Sequence, residues 1–220
     1  MLALLFVTIW FLSMLLVISL LLLLMLAPPQ LDPSLTPHKA PQPPLPKIDE
    51  NACPFEGCQF GTWTARQKVQ LFSTWQSGRR PVTEVAEGEV LTAITGIHIT
   101  IEPSEIQVTA PIPDYSLKPG DIVFGYMNHG EGTFSAWFNG YWVEEFDGSG
   151  IEDPKGSGCT HNCSAKLLKP GKTEWWVQMK TKGGLIGWTK ETDKFDGKDS
   201  LAESQSWFTG EHRLRRDHVC

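Results

Sequence analysis

Trp175-Trp-Val-Gln-Met-Lys-Thr181, Lys182-Gly-Gly184 and Leu185-Ile-Gly-Trp-Thr189 together decide the fold class. Val177 and Met179 alternate with polar neighbours on the face of Trp175, and Trp176 points the other way. A glycine pair then turns the chain, and a second apolar run returns. This is the pattern of a β-hairpin, because side chains alternate across a strand with period two.

The same grammar runs upstream. Asn139-Gly140 separates Phe134–Phe138 from Tyr141-Trp-Val143, and both central residues of a type I′ turn need positive φ, which Asn and Gly tolerate. Lys118-Pro-Gly-Asp121 turns into Ile122-Val-Phe124, and Glu131-Gly132 marks a further turn. Ile97, Ile99 and Ile101 alternate with His98, Thr100 and Glu102, which predicts a strand buried on one face, ended by Pro103. Ile106 and Val108 alternate again before Pro111 and Pro113, and Glu87-Gly88-Glu89 turns between two earlier runs. Residues 148–163 read as a loop and Asn128-His-Gly130 as a turn. No stretch after residue 51 has the apolar periodicity of a long helix.

The N-terminus is of another kind. Residues 1–27 carry no charge, and Thr8, Ser13 and Ser19 are their only polar side chains. As a helix this run would span roughly 39 Å, against a hydrocarbon core of about 30 Å, so a transmembrane anchor is expected. The rival is a cleaved signal peptide. Its apolar core is shorter, its start basic and its cleavage site small, whereas here Pro28 and Pro29 follow Ala27. Residues 28–50 form a proline-rich linker, with eight prolines between 28 and 47, expected to be an extended, solvated stalk. Residues 51–198 form the β-rich region and 199–220 the tail, with Trp207, Phe208, Arg213, Arg215 and Arg216. The tail reads as a short helix or as disordered.

Formal net charge is −6, with no basic face to neutralise phosphates, so nucleic acid is not an expected partner. Five cysteines are present: Cys53, Cys58, Cys159, Cys163 and Cys220. The first four form two close pairs. Thiolate ligation of zinc, with His161 as an alternative ligand, is one reading, but the gaps differ from the usual two-residue knuckle. Two local disulfides are the favoured reading; crossed pairing stays open, and Cys220 is left over. Lys39 and Lys47 follow the apolar run and would put the domain in the cytoplasm by the positive-inside rule. Disulfides argue for the oxidising side, and an extracytoplasmic domain is expected. No cofactor and no metal are expected.

Certain of these segments resemble a known family. Val85-Ala-Glu-Gly-Glu-Val-Leu91 is similar to the middle of a bacterial Src-homology-3-like domain, and the 175–189 hairpin to the closing hairpin of that barrel. Gly120-Asp-Ile-Val-Phe124 with Trp137-Phe-Asn-Gly140 is similar to a second, divergent copy. The resemblance covers roughly residues 66–192. It implies one or two small barrels, tandem or nested; in the nested case residues 68–96 would pair with 175–189. It also implies a non-catalytic binding module of the cell envelope, with a cell-wall glycan, a peptide or an envelope protein as ligand. The candidate surface is aromatic, Trp137, Tyr141, Trp142, Trp176 and Trp188, since such faces stack on sugars and proline-rich peptides. Packing in a small barrel is the plain alternative for each. Other classes are a cell-wall hydrolase and a scaffold or sensor subunit of a membrane complex. Lys118–Phe124 is faintly similar to a strand of cell-wall cysteine peptidases, but the upstream cysteines read as structural. Glu144 and Glu145 are adjacent in a strand, so they should face opposite ways.

Overall fold

The structure is a computed structural model that describes residues 36–153 and 158–201. The expected membrane segment 1–27, the first residues of the linker, and Trp207, Phe208, Arg213, Arg215, Arg216 and Cys220 lie outside these. The chain divides into two units, 1–36 and 37–220, and all the strands belong to the second. Among the described residues no helix is long and apolar enough to cross a membrane.

The fold is mainly β. Two short strands come first, β1 (His38–Lys39) and β2 (Lys47–Glu50). They are followed by β3 (Gly61–Ala65), β4 (Val69–Phe72), β5 (Pro81–Val85) and the long β6 (Val90–Glu102). Next come β7 (Ser104–Val108), β8 (Ile122–Gly130), β9 (Thr133–Phe138), β10 (Tyr141–Asp147), β11 (Ile151–Glu152) and β12 (Ala165–Lys169). The chain closes with β13 (Lys172–Lys180), β14 (Ile186–Thr189) and β15 (Phe195–Asp196). The predicted turns at 87–89, 131–132, 139–140 and 182–184 all separate strands. Asn139 and Gly140 both have positive φ, 49° and 84°, as the hairpin reading requires.

Two sheets result. In the first, strand order is β15-β3-β6-β13-β14-β4-β5, with β2 also on β6; in the second it is β1-β10-β9-β8-β7-β12-β11. Strands β7 to β12 of the second sheet are an insertion in the first, and β1 joins them from the N-terminal side. β6 pairs with β13 across the insertion, Trp175 opposite His98 and Trp176 opposite Ile97, and β14 reaches β4 with Trp188 opposite Phe72. These are the pairings of the nested arrangement. The β6–β13 ribbon continues into the second sheet as β7–β12, with Ile106 opposite Leu167. Pro103 and Pro170 stand at the joint, where neither can donate to the ladder. The Ser104 hydroxyl instead accepts the Gly171 N–H at 2.9 Å, and Lys169 and Lys172 both reach Glu102, at 2.8 and 3.3 Å.

Each sheet has its own core. Trp63, Leu71, Val85, Leu91, Val177, Met179 and Phe195 are fully buried in the first, with Trp175 packed against them. Val123, Ala136, Phe138, Val143 and Phe146 fill the second. A third cluster lies on the opposite face of the first sheet: Ile97, Ile99 and Trp176, flanked by Phe72, Trp75 and Trp188. Val177 and Met179 therefore do share the face of Trp175 while Trp176 faces away.

The strand carrying the isoleucines differs from its sequence reading. Ile97 and Ile99 are buried as expected, but Ile101 is exposed, and His98 and Thr100 are buried too. From Ile97 to Thr100 the strand is covered on both faces. Gly96 is the point where the edge partner of β6 changes from β3 to β2. A Cβ there would collide with the Ala52 carbonyl and the Trp175 indole nitrogen. Those two groups are hydrogen-bonded to each other at 2.9 Å, and the Ala52 N–H donates to the Gly96 carbonyl at 2.9 Å.

Both local cysteine pairs are disulfides, Cys53–Cys58 and Cys159–Cys163, with Cα separations of 5.5 and 5.6 Å. The pairing is local in both loops and not crossed. The first loop is tied to the end of the described chain, Ser200 N–H donating to Gly57 O at 2.8 Å. The second anchors against Thr109, whose hydroxyl donates to Cys163 O at 3.3 Å.

Candidate functional site

The five aromatic residues singled out by sequence fall into two groups on two sheets. Trp176 and Trp188 belong to the first sheet, and Trp137, Tyr141 and Trp142 to the second. Trp176 is 1% exposed and Trp142 5%, whereas Tyr141 is 43% exposed.

Around Trp176 the structure builds a cleft. β4 brings Phe72 edge-on to the indole, with centroids 6.4 Å apart. The loop between β4 and β5 folds back so that the Arg79 guanidinium stacks over the same ring at 4.7 Å, and 5.9 Å from Phe72. Lys190, just past β14, places its ammonium 5.6 Å from the ring centroid. The half-open space is about 240 Å³, lined by Gln70, Phe72, Arg79, Trp176, Thr189, Lys190 and Glu191.

Charges in this cleft are unevenly paired. Glu174 accepts from Lys190 at 2.7 Å and from the Trp176 indole N–H at 2.9 Å. Those two donors hold its carboxyl below the usual carboxylate value, against the effect of burial. Glu191, at the rim, is matched by Lys194 at 2.6 Å. Arg79 is within ion-pair distance of no carboxylate among the described residues, although its charge also helps to lower Glu174. Its Nη1 donates to the Trp75 and Gln76 carbonyls at 3.4 and 3.2 Å, which fixes the plane of the group. The outcome is an oriented guanidinium with donors to spare beside an aromatic wall. That combination recognises carboxylates bidentately while apolar parts of a ligand stack alongside.

Phe72, Arg79 and Lys190 are not marked out by the sequence pattern. Arg79-Arg80 between two strands is the available signal, but which arginine turns onto Trp176 depends on how the loop folds back. Trp188 stands beside Phe72 at the edge of this cluster.

On the second sheet Trp137 donates its indole N–H to Ala40 O at 3.0 Å, and Trp142 packs edge-on to Tyr126 at 5.2 Å. Lys47 lies over the Trp142 ring at 5.1 Å and is ion-paired with Asp49. Asp49 also stands 3.7 Å from His98 Nδ1, beyond hydrogen-bond range, so this is an electrostatic contact. Asp49 Oδ2, His98 Nδ1 and Thr100 Oγ1 are buried without a protein hydrogen-bond partner.

His129, read as a turn residue, lies instead at the end of β8, because that strand runs on to Gly130. Its Nε2 is 2.6 Å from the Ser135 hydroxyl, which donates to Glu144 at 3.5 Å. The hydroxyl stands between His129 and Glu144, and Ser135 as a residue is 1% exposed. Glu145 lines an acidic cleft that His129 also borders, with Glu56 and Glu131, between the first disulfide loop and the β8–β9 hairpin. Among the described residues no group of three or more His, Cys, Asp or Glu is placed to hold a metal ion. Compared with protein-family models, curated proteins and solved structures, the chain matches none.

Proposed function

We propose that this chain is a non-catalytic binding module of the cell envelope, tethered by residues 1–27 with its β-rich domain on the extracytoplasmic side. In this reading the first sheet is a Src-homology-3-like barrel interrupted by the second sheet. The order β15-β3-β6-β13-β14-β4-β5 supports that, because the last strand returns to pair with β3 from the early part of the same sheet, which curls it toward a barrel. The tryptophan-led β13–β14 hairpin supports the same reading, since it joins β6 on one side to β4 on the other. Two disulfides favour an oxidising compartment.

The observation that carries the binding role is the cleft at Trp176. An aromatic wall next to an oriented, ion-pair-free Arg79 suits a ligand with a carboxylate flanked by apolar or sugar-ring surface. Carboxylate-bearing cell-wall fragments and acidic segments of envelope proteins both have that chemistry. The test is a titration of the full-length protein in detergent with muropeptides and with acidic peptides, followed by tryptophan emission. Arg79→Ala should weaken binding roughly 10- to 100-fold, the effect of losing a charge-assisted pair worth about 1.5–3 kcal/mol. Arg79→Lys should restore only part of it, since an ammonium lacks the planar fork. Binding that is indifferent to both changes would place the ligand elsewhere.

A further inference from the structure

The spacer expected to be a solvated stalk is, from residue 38, laid along the domain. His38 and Lys39 add as β1 to the edge of β10, opposite Trp142 and Tyr141. Ala40 continues the pairing, its N–H donating to Gly140 O at 3.0 Å and its carbonyl accepting from Trp137 Nε1 at 3.0 Å. The Gln42 amide reaches the Tyr126 hydroxyl at 3.5 Å, and Lys47 caps the Trp142 ring. An extended, proline-containing strand thus lies on an aromatic trough formed by Tyr126, Trp137 and Trp142. Main-chain bonds to a sheet edge together with side chains on aromatic rings are how such peptides are bound between molecules.

We propose that this trough is a peptide site occupied in cis by residues 37–47, and that in a strand-exchanged pair it takes the same segment of a second copy. Three observations support exchange. The strand covers only two residues of β10, which runs seven, so the hold is short and the rest of the edge is open. Pro41, Pro44, Leu45 and Pro46 are exposed, so lifting the segment uncovers little apolar surface of its own. The prolines keep it extended when free, which lowers the ordering entropy of docking again. Exchanging an identical element preserves every contact and opens a route to dimers.

The test uses two full-length variants in detergent. In one, residues 38–46 are replaced by Gly and Ser at equal length, leaving the trough intact and empty. In the other, Trp137→Ala spoils the trough and keeps the strand. The first variant should bind a synthetic peptide of residues 36–47 at least about 10-fold more tightly than wild type, whose own strand competes for the site. The two variants mixed should form a one-to-one pair that neither forms alone. A first variant with unchanged far-ultraviolet circular dichroism that does neither overturns the proposal. Equal binding of a scrambled proline-rich peptide overturns the second copy as occupant. Should the replacement unfold the protein, hydrogen exchange on wild type decides. The Ala40 amide should exchange well before the amides of β10, and exchange only with global unfolding would overturn detachment.

Discussion

Asp49 shows how a single residue couples the spacer to the first sheet. Burial by itself would push its carboxyl up, but His98 and Lys47 beside it outweigh that and hold it below its ordinary value of 3.8. A carboxyl depressed in the folded state contributes stability that is complete above its unfolded value and is lost as pH falls through the folded one. Asp49→Asn should therefore lower stability at pH 7 by about 1–3 kcal/mol. The gap to wild type should close as the pH is taken below the carboxyl's ordinary value of 3.8 and through its lowered folded one. Urea midpoints of both proteins across that range check this, and a constant gap would show that the carboxylate charge is not what matters. No local pattern hints at this contact, since Asp49 and His98 meet only through pairing of β2 with β6. Arg79 is hidden for the same reason, because its partner Trp176 lies on a strand almost a hundred residues further on.

At the scale of the element, local chemistry is readable and coverage is not. Asn139, Gly140 and Gly184 turn the chain at positive φ, and the 175–189 hairpin puts Trp175 and Trp176 on opposite faces as its alternation demands. β3, at Gly61–Ala65, escapes a pattern reading because it precedes the segment where the strand pattern becomes regular. The Ile97–Ile101 strand is only half legible, because alternation reports a one-sided strand and cannot register what later covers the second face. The glycine after His129 suggests a turn that the strand in fact runs through. The short cysteine spacings, by contrast, do carry their pairing. Closing the 159–163 loop should stabilise the protein by about 2 kcal/mol on the chain-entropy account. The double variant Cys159→Ser, Cys163→Ser should lose that amount in chemical denaturation. An unchanged midpoint would mean that the backbone bonds from Cys159 N–H to Ile151 O and from Ser164 N–H to Gly150 O hold the loop alone.

The whole domain is one ribbon passing through two sheets. β6 and β13 belong to the first, their continuations β7 and β12 to the second, and Pro103 and Pro170 mark the passage between them. Everything from β7 to β12 is thus an excursion, after which the chain returns to finish the sheet it left. The Trp176 cleft depends on that return, since Phe72 and Arg79 come from before the excursion and Trp176 and Lys190 from after it. Sequence alone does not choose between tandem and nested barrels, because both satisfy the same local patterns and differ only in long-range pairing.

That pairing is the central claim, and cross-strand nuclear Overhauser effects in the isotope-labelled protein test it most directly. The nested fold predicts contacts between backbone protons of residues 92–100 and 173–180, among them His98 with Trp175, and between Phe72 and Trp188. Long-range contacts confined to residues within 66–113 and within 118–189 would mean tandem barrels, and would dismantle the cleft along with the fold.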